Sequence, residues 1–174
     1  MISFGEVTKI RTIFLQTVSL CYAVAFFSLY IQLPGLYGDN GILPARSQID
    51  TARALKEDLL ALFAERPTIL WLSPILGIPV EYFLDLICIL GTLIGLISTV
   101  FPGLLSKFNL FVLWLFYLSL LHVGETFLSF QWDILLLEAG FLALIAAPFL
   151  PFQQDRALPG DKITMFLVRW LLFR

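Results

Sequence analysis

Apolar residues in this chain come in blocks as long as a bilayer is thick. Stretches without Asp, Glu, Lys or Arg cover 27 positions between Arg11 and Asp39, 21 between Asp85 and Lys107, 17 between Lys107 and Glu125, and 16 between Glu138 and Asp155. A helix rises about 1.5 Å per residue, so roughly 20 apolar residues cross the ~30 Å hydrocarbon layer. The pattern predicts an all-α membrane protein, a polytopic helical bundle with four complete spans over about residues 12–31, 82–101, 108–123 and 132–150. An incomplete fifth span begins at 163 and runs to 174, too short to finish a crossing. Residues 1–174 are thus expected to form a single transmembrane helical domain, the amino-terminal portion of something longer.

The segments between the spans have their own signatures. From Leu33 to Pro44, Gly35, Gly38, Gly41 and two prolines surround an Asp39-Asn40-Gly41 step, which predicts that the first helix stops there. From Ser47 onward, Ile49, Ala52, Leu55, Leu59, Leu62 and Phe63 repeat at helical spacing, opposite Asp50, Arg53, Lys56, Glu57, Asp58 and Glu65. Ser47 with Asp50 resembles a capping box and Pro67 is a stop, so an amphipathic helix over 47–66 is expected, on the lumenal side. Thr68 to Val80 is apolar but carries Pro74, Gly77 and Pro79 and is too short to span, which suits a re-entrant or interfacial piece. Gly91 and Gly95 form a G-x-x-x-G in the second span, where another helix of the same chain is expected to approach closely. Ala23-Val24-Ala25 imitates a signal-cleavage site, but the apolar run continues to Ile31, so a retained first span is the reading adopted.

Composition agrees with the bilayer and narrows the partners. The chain is 59% hydrophobic and 14% charged with mean hydropathy +0.91, against about 25% charged in soluble domains. A net charge of −2 and no clustered basic face exclude a nucleic-acid partner and leave membrane lipid as the expected environment. Cys21 and Cys88 lie in separate apolar stretches with no C-x-x-C pair, as thiols buried in lipid would. Lys9, Arg11, Lys107, Arg156 and Lys162 flank the spans on one side, while the loop between the third and fourth spans has no cation, so the N-terminus is expected in the cytoplasm.

Charge near hydrocarbon is costly and marks candidate sites. His122, Glu125, Asp133 and Glu138 gather at the ends of the third and fourth spans, beside Gln131 and Trp132. One reading makes them a proton relay or cation site. The other has Asp133 and the Trp132 backbone capping the fourth span while Glu138 pairs with a cation such as Arg169. His122 is the only histidine and no Glu-x-x-His pair repeats, so no metal is assigned. Without a nucleophile triad or phosphate loop, no catalytic residue and no cofactor are expected either.

Three stretches go beyond generic membrane sequence. They are Ser28-Leu29-Tyr30-Ile31-Gln32-Leu33-Pro34-Gly35-Leu36-Tyr37-Gly38-Asp39-Asn40-Gly41-Ile42-Leu43-Pro44-Ala45-Arg46, then Phe130-Gln131-Trp132-Asp133-Ile134-Leu135-Leu136-Leu137-Glu138-Ala139-Gly140-Phe141-Leu142, and Arg169-Trp170-Leu171-Leu172-Phe173-Arg174. In this order the chain resembles the amino-terminal membrane region of the lipase maturation factor family, leaning towards the second of its two paralogues. The resemblance implies a multi-pass protein of the endoplasmic reticulum membrane that assists the folding and assembly of secreted lipases. It also implies that lipases are engaged by a large lumenal carboxy-terminal domain which this chain lacks, so that these residues serve as the membrane anchor. A more distant likeness to the vitamin K-dependent carboxylase supports the alternative, an intramembrane enzyme or transporter working through the acidic cluster at the third and fourth spans.

Overall fold

The computed structural model describes residues 4–55, 62–64, 66–152, 166, 169–171 and 173. They form α1 (Phe4–Leu36), α2 (Ala45–Leu55), a 3-10 turn (Ile69–Leu72) leading into α3 (Ser73–Leu76), α4 (Val80–Val100), α5 (Lys107–Gly124) and α6 (Gln131–Ala146), with no strand among the described residues. Among the described residues three helices are long and apolar enough to cross a membrane: Glu6–Leu36, Val80–Val100 and Lys107–Gly124. The fourth segment is shorter than its apolar run. Pro148 holds Ala147 extended at φ −72°, ψ 148°, so α6 ends at Ala146 rather than 150. Its 16 residues rise about 24 Å, less than the hydrocarbon thickness. The start of the expected fifth helix lies outside the described residues, while Phe166, Arg169, Trp170, Leu171 and Phe173 are helical.

α1 corrects a second expectation, because it runs through Pro34 instead of stopping before it. Proline costs one helical hydrogen bond, and here the following turn replaces what the helix end lacks. The amides of Tyr37 and Gly38 donate to the Leu33 carbonyl, Ile42 to Gly35, Leu43 to Leu36 and Ala45 to Tyr37, at 2.8 to 3.1 Å. The chain from 37 to 45 therefore folds back as a cap. Gly38 and Gly41 permit it, since a Cβ at either would sit 2.8 Å from the carbonyl oxygen of Pro34 or Leu36.

α2 begins at Ala45, two residues before the expected cap. Ser47 Oγ donates to the Pro44 carbonyl at 2.9 Å, so Ser47 is inside the first turn and does not cap it. The amphipathic pattern holds where it is described, with Ala45, Ile49 and Leu62 buried and Asp50 and Arg53 exposed; residues 56–61 lie outside the described residues. The apolar piece after Pro67 makes the 3-10 turn and α3, and Gly77 at φ +69° turns the chain into α4. Thr68 Oγ1 donates to the Ser119 carbonyl and Ser119 Oγ accepts from the Ile69 amide, pinning this piece to α5.

α1 packs antiparallel on α4. Gly91 lies beneath the Phe26 ring, 2.6 Å from where its Cβ would stand, and Gly95 lies against Ala23 and the Ser19 carbonyl. Gln16 Nε2 donates to the Thr99 carbonyl at 2.8 Å and fixes the register. α5 and α6 are likewise antiparallel, tied by Trp114 Nε1 donating to the Leu137 carbonyl at 3.0 Å. α1 buries Leu15, Val18, Tyr22, Phe26, Leu29 and Leu33, yet its outer face is also apolar, with Ile13, Leu20, Val24, Phe27 and Ile31 exposed. α4 repeats this with Ile89, Leu93 and Ile97 outside. Such continuous exposed apolar surface suits lipid and not water. Arg11, read from sequence as a flanking charge, is fully buried in the bundle.

Candidate functional site

The ends of α1 and α5 and the start of α6 meet at one end of the bundle. Tyrosines organise this region. Tyr22, Phe26 and Tyr117 form a buried aromatic cluster in which the Tyr117 ring meets the other two edge-on, centroids 5.6 Å apart. Tyr22 Oη donates to the Leu136 carbonyl of α6 at 3.1 Å, passing over Gly140. Tyr37, just past α1, donates to the Gly124 carbonyl at 3.2 Å and stands edge-on to Phe127. A buried phenol needs such a partner for its hydroxyl, and each of these tyrosines has one.

The third tyrosine reaches a carboxyl group. Tyr117 Oη donates to Asp133 Oδ1 at 2.6 Å. Asp133 is 6% exposed, and its Oδ2 has no hydrogen-bond partner among the described residues. It stands in the first turn of α6, beside the positive end of the helix dipole. Burial, and then the charge of Asp133, push the Tyr37 hydroxyl up to about 12. Asp133 therefore carries one satisfied oxygen and one that is not, in a site where an unsatisfied polar atom is costly.

Asp133 and Glu138 line separate clefts. Asp133 does not cap α6: Phe130 occupies the cap position and no side chain bonds there, because the Asp133 side chain turns to Tyr117 instead. His122 Nδ1 lies 2.8 Å from the Leu118 carbonyl one turn back, which turns the ring onto its own helix. Glu125 opens the 3-10 turn Glu125–Phe127. Glu138 is half-buried in a cleft with Trp114, Phe141 and Trp170, apart from the cleft that Asp133 lines. Arg169 is exposed. No group of three or more His, Cys, Asp or Glu gathers to hold a metal among the described residues. Sequence reasoning missed Tyr22, Tyr37 and Tyr117. The available signal was a tyrosine within or beside an apolar span, which must find a hydroxyl partner.

Asp133 sits at the end of an open cleft of about 650 Å³ that runs along α1. Leu20, Cys21, Val24 and Ser28 line its length, and Phe130, Trp132 and Asp133 its polar end. The rings of Phe130 and Trp132 stack at 4.7 Å.

Comparison with known proteins agrees with the membrane architecture. A family profile described as lipase maturation factor transmembrane domain matches residues 9–174. The chain is 43% identical over 173 residues to lipase maturation factor 2 of Xenopus laevis, covering 98% of this chain and 24% of that protein. It is 46% identical over 167 residues to lipase maturation factor 2 of Gallus gallus, covering 94% of this chain and 23% of that protein. Human lipase maturation factor 1 is 33% identical over 168 residues, covering 94% of this chain and 29% of that protein. The chain thus spans about a quarter of the length of these relatives and leans towards the second paralogue. No solved structure matches it. With the family profile covering nearly all of a chain whose long helices are apolar on every face, the protein belongs to the lipase maturation factor family.

Proposed function

We propose that this chain is the membrane-embedded part of a factor that assists the folding and assembly of secreted lipases in the endoplasmic reticulum. The observation that carries the reading is the 43% identity, across 98% of the chain, to a relative named for lipase maturation, coinciding with three helices fit to span a bilayer. The bundle anchors and orients the protein and makes no bond itself. In keeping with that, Asp133 and Glu138 line separate clefts, and His122 is turned onto its own helix.

The topology proposed with it has four crossings, with α6 and the short extended stretch after it making the fourth, and a fifth begun near 163. Residues 1–174 act as one membrane domain with the N-terminus in the cytoplasm, supported by Lys9 and Lys107 at one end of the bundle. α2 and α3 then lie on the lumenal side. Secreted lipases are met by parts of the longer relatives that this chain does not match, and membrane lipid by the bundle.

The test is complementation in cells lacking the endogenous factor. The 174-residue chain, carrying a reporter cysteine at Gln48, should insert with that position reachable only from the lumen. It should fail to restore secretion of active lipase, whereas the full-length Xenopus laevis relative restores it. Restored secretion by the 174 residues alone would overturn the anchoring role, and labelling of position 48 from the cytosol would overturn the topology.

A further inference from the structure

Asp133, whose Oδ2 is buried without a partner, also lines the cleft along α1. A buried carboxylate with a bare oxygen is tolerated where a donor arrives from outside the protein. The cleft that leads to it has the shape and chemistry of an amphiphile site. From Leu20 to Leu36 it follows α1 for about 24 Å at about 1.5 Å per residue, most of the way across the hydrocarbon layer. Its volume, about 650 Å³, lies inside the range of about 300 to 1,000 Å³ usual for small-ligand sites. Leu20 and Val24 are among the exposed residues of α1 and open the long side to lipid. At the polar end the Asp133 carboxyl is surrounded by Tyr37, Tyr117, Phe127 and the stacked Phe130 and Trp132.

We propose that this cleft binds an aminophospholipid, its primary ammonium donating to Asp133 Oδ2 and one acyl chain lying along α1 towards Leu20. The occupant is chosen by charge and by hydrogen-bonding. The site offers one buried carboxyl group with an unpartnered oxygen and aromatic faces, which together suit a cation. Oδ2 needs a donor, and a primary ammonium has three N–H groups where a quaternary choline has none. Tyr117 holds the carboxyl group through Oδ1, while Oδ2 is buried without a partner, so the carboxyl group turns towards the cleft to meet the ammonium. This inference goes beyond lipase maturation and stands without it, since it concerns what the bundle binds in its own bilayer.

The experiment uses the 174-residue chain purified from membranes and reconstituted in vesicles of phosphatidylethanolamine and phosphatidylcholine, then extracted with increasing detergent. Lipid retained by the protein is counted by native mass spectrometry. In parallel, acyl-brominated forms of each lipid are used to quench tryptophan fluorescence, and the part of the quenching lost in Trp132→Phe reports Trp132 in the cleft. The expected result is a preference for phosphatidylethanolamine of about tenfold, the worth of one charge-assisted hydrogen bond. Asp133→Asn keeps an acceptor for Tyr117 but loses the charge, and should bring the two lipids to near-equal retention. Val24→Trp, at an exposed cleft position, should lower retention of both while leaving Asp133 intact. Equal retention of the two lipids by the unsubstituted chain would overturn the proposal. So would an unchanged preference in Asp133→Asn with a native melting transition, or a protein helix crosslinked in the cleft in place of lipid.

Discussion

Gly140→Ala measures how tightly the tyrosine cluster is built. On an exposed helix the change gains about 1 kcal/mol, because alanine is the better helix former. Here the new methyl group would collide with the Tyr22 hydroxyl and stand 2.9 Å from its Cζ. Tyr22 is fully buried, stacked with Phe26 and edge-on to Tyr117, so its ring has no free direction. Moving it breaks the hydrogen bond to the Leu136 carbonyl, worth about 1 kcal/mol net. Overpacking adds about 1 to 3 kcal/mol. After the helix gain is subtracted, a net loss of about 1 to 3 kcal/mol is expected. Tyr22→Phe removes the colliding hydroxyl, so in that background Gly140→Ala should cost about 1 kcal/mol less, a coupling typical of residues in contact. Reversible unfolding in mixed micelles, followed by tryptophan fluorescence for the four proteins of the cycle, gives each value. If Gly140→Ala were as stable as the parent, or if the two changes simply added, the reasoning about this contact would be wrong.

Two further outcomes follow from the same geometry. Gly95→Leu should destabilise the bundle by roughly 2 kcal/mol or more in the same assay, because its side chain would meet the Ser19 backbone carbonyl at 2.9 Å and not a movable side chain. Tyr37 links stability to high pH: its folded value of about 12 exceeds the ordinary 10.0, so the contribution is complete below pH 10 and is lost as pH rises from 10 to 12. At roughly 1.4 kcal/mol per unit this is at most about 3 kcal/mol, and Tyr37→Phe should flatten that part of the stability profile; an identical profile would remove Tyr37 from the account.

The spans themselves were legible because bilayer crossing depends on run length and charge spacing, both local properties. α4, from Val80 to Val100, lies within two residues of its sequence-predicted bounds, and α5 within one. Helix ends were less legible where the chain supplied its own caps. Pro34 reads as a stop in isolation, and only the amides of residues 37 to 45, folded back onto the helix end, make its continuation possible. The reverse held at the fourth apolar run, where hydropathy continued past Pro148 but the backbone did not.

The cluster at the end of α5 and α6 shows the same division. Sequence alone determined that Asp133 and Glu138 were charges needing an explanation, since a carboxyl group in an apolar run is costly wherever it points. It also determined that glycines at 91 and 95 would allow a close helix approach. Tertiary structure decided which groups meet. Five residues separate Asp133 from Glu138, and at about 3.6 residues per turn they leave the helix in different directions, so they line different clefts. The partner that Asp133 does find, Tyr117, comes from a neighbouring helix 16 positions earlier. That pairing depends on the rotation and register of α5 against α6, set by packing across the whole bundle, and no local pattern in the chain encodes it.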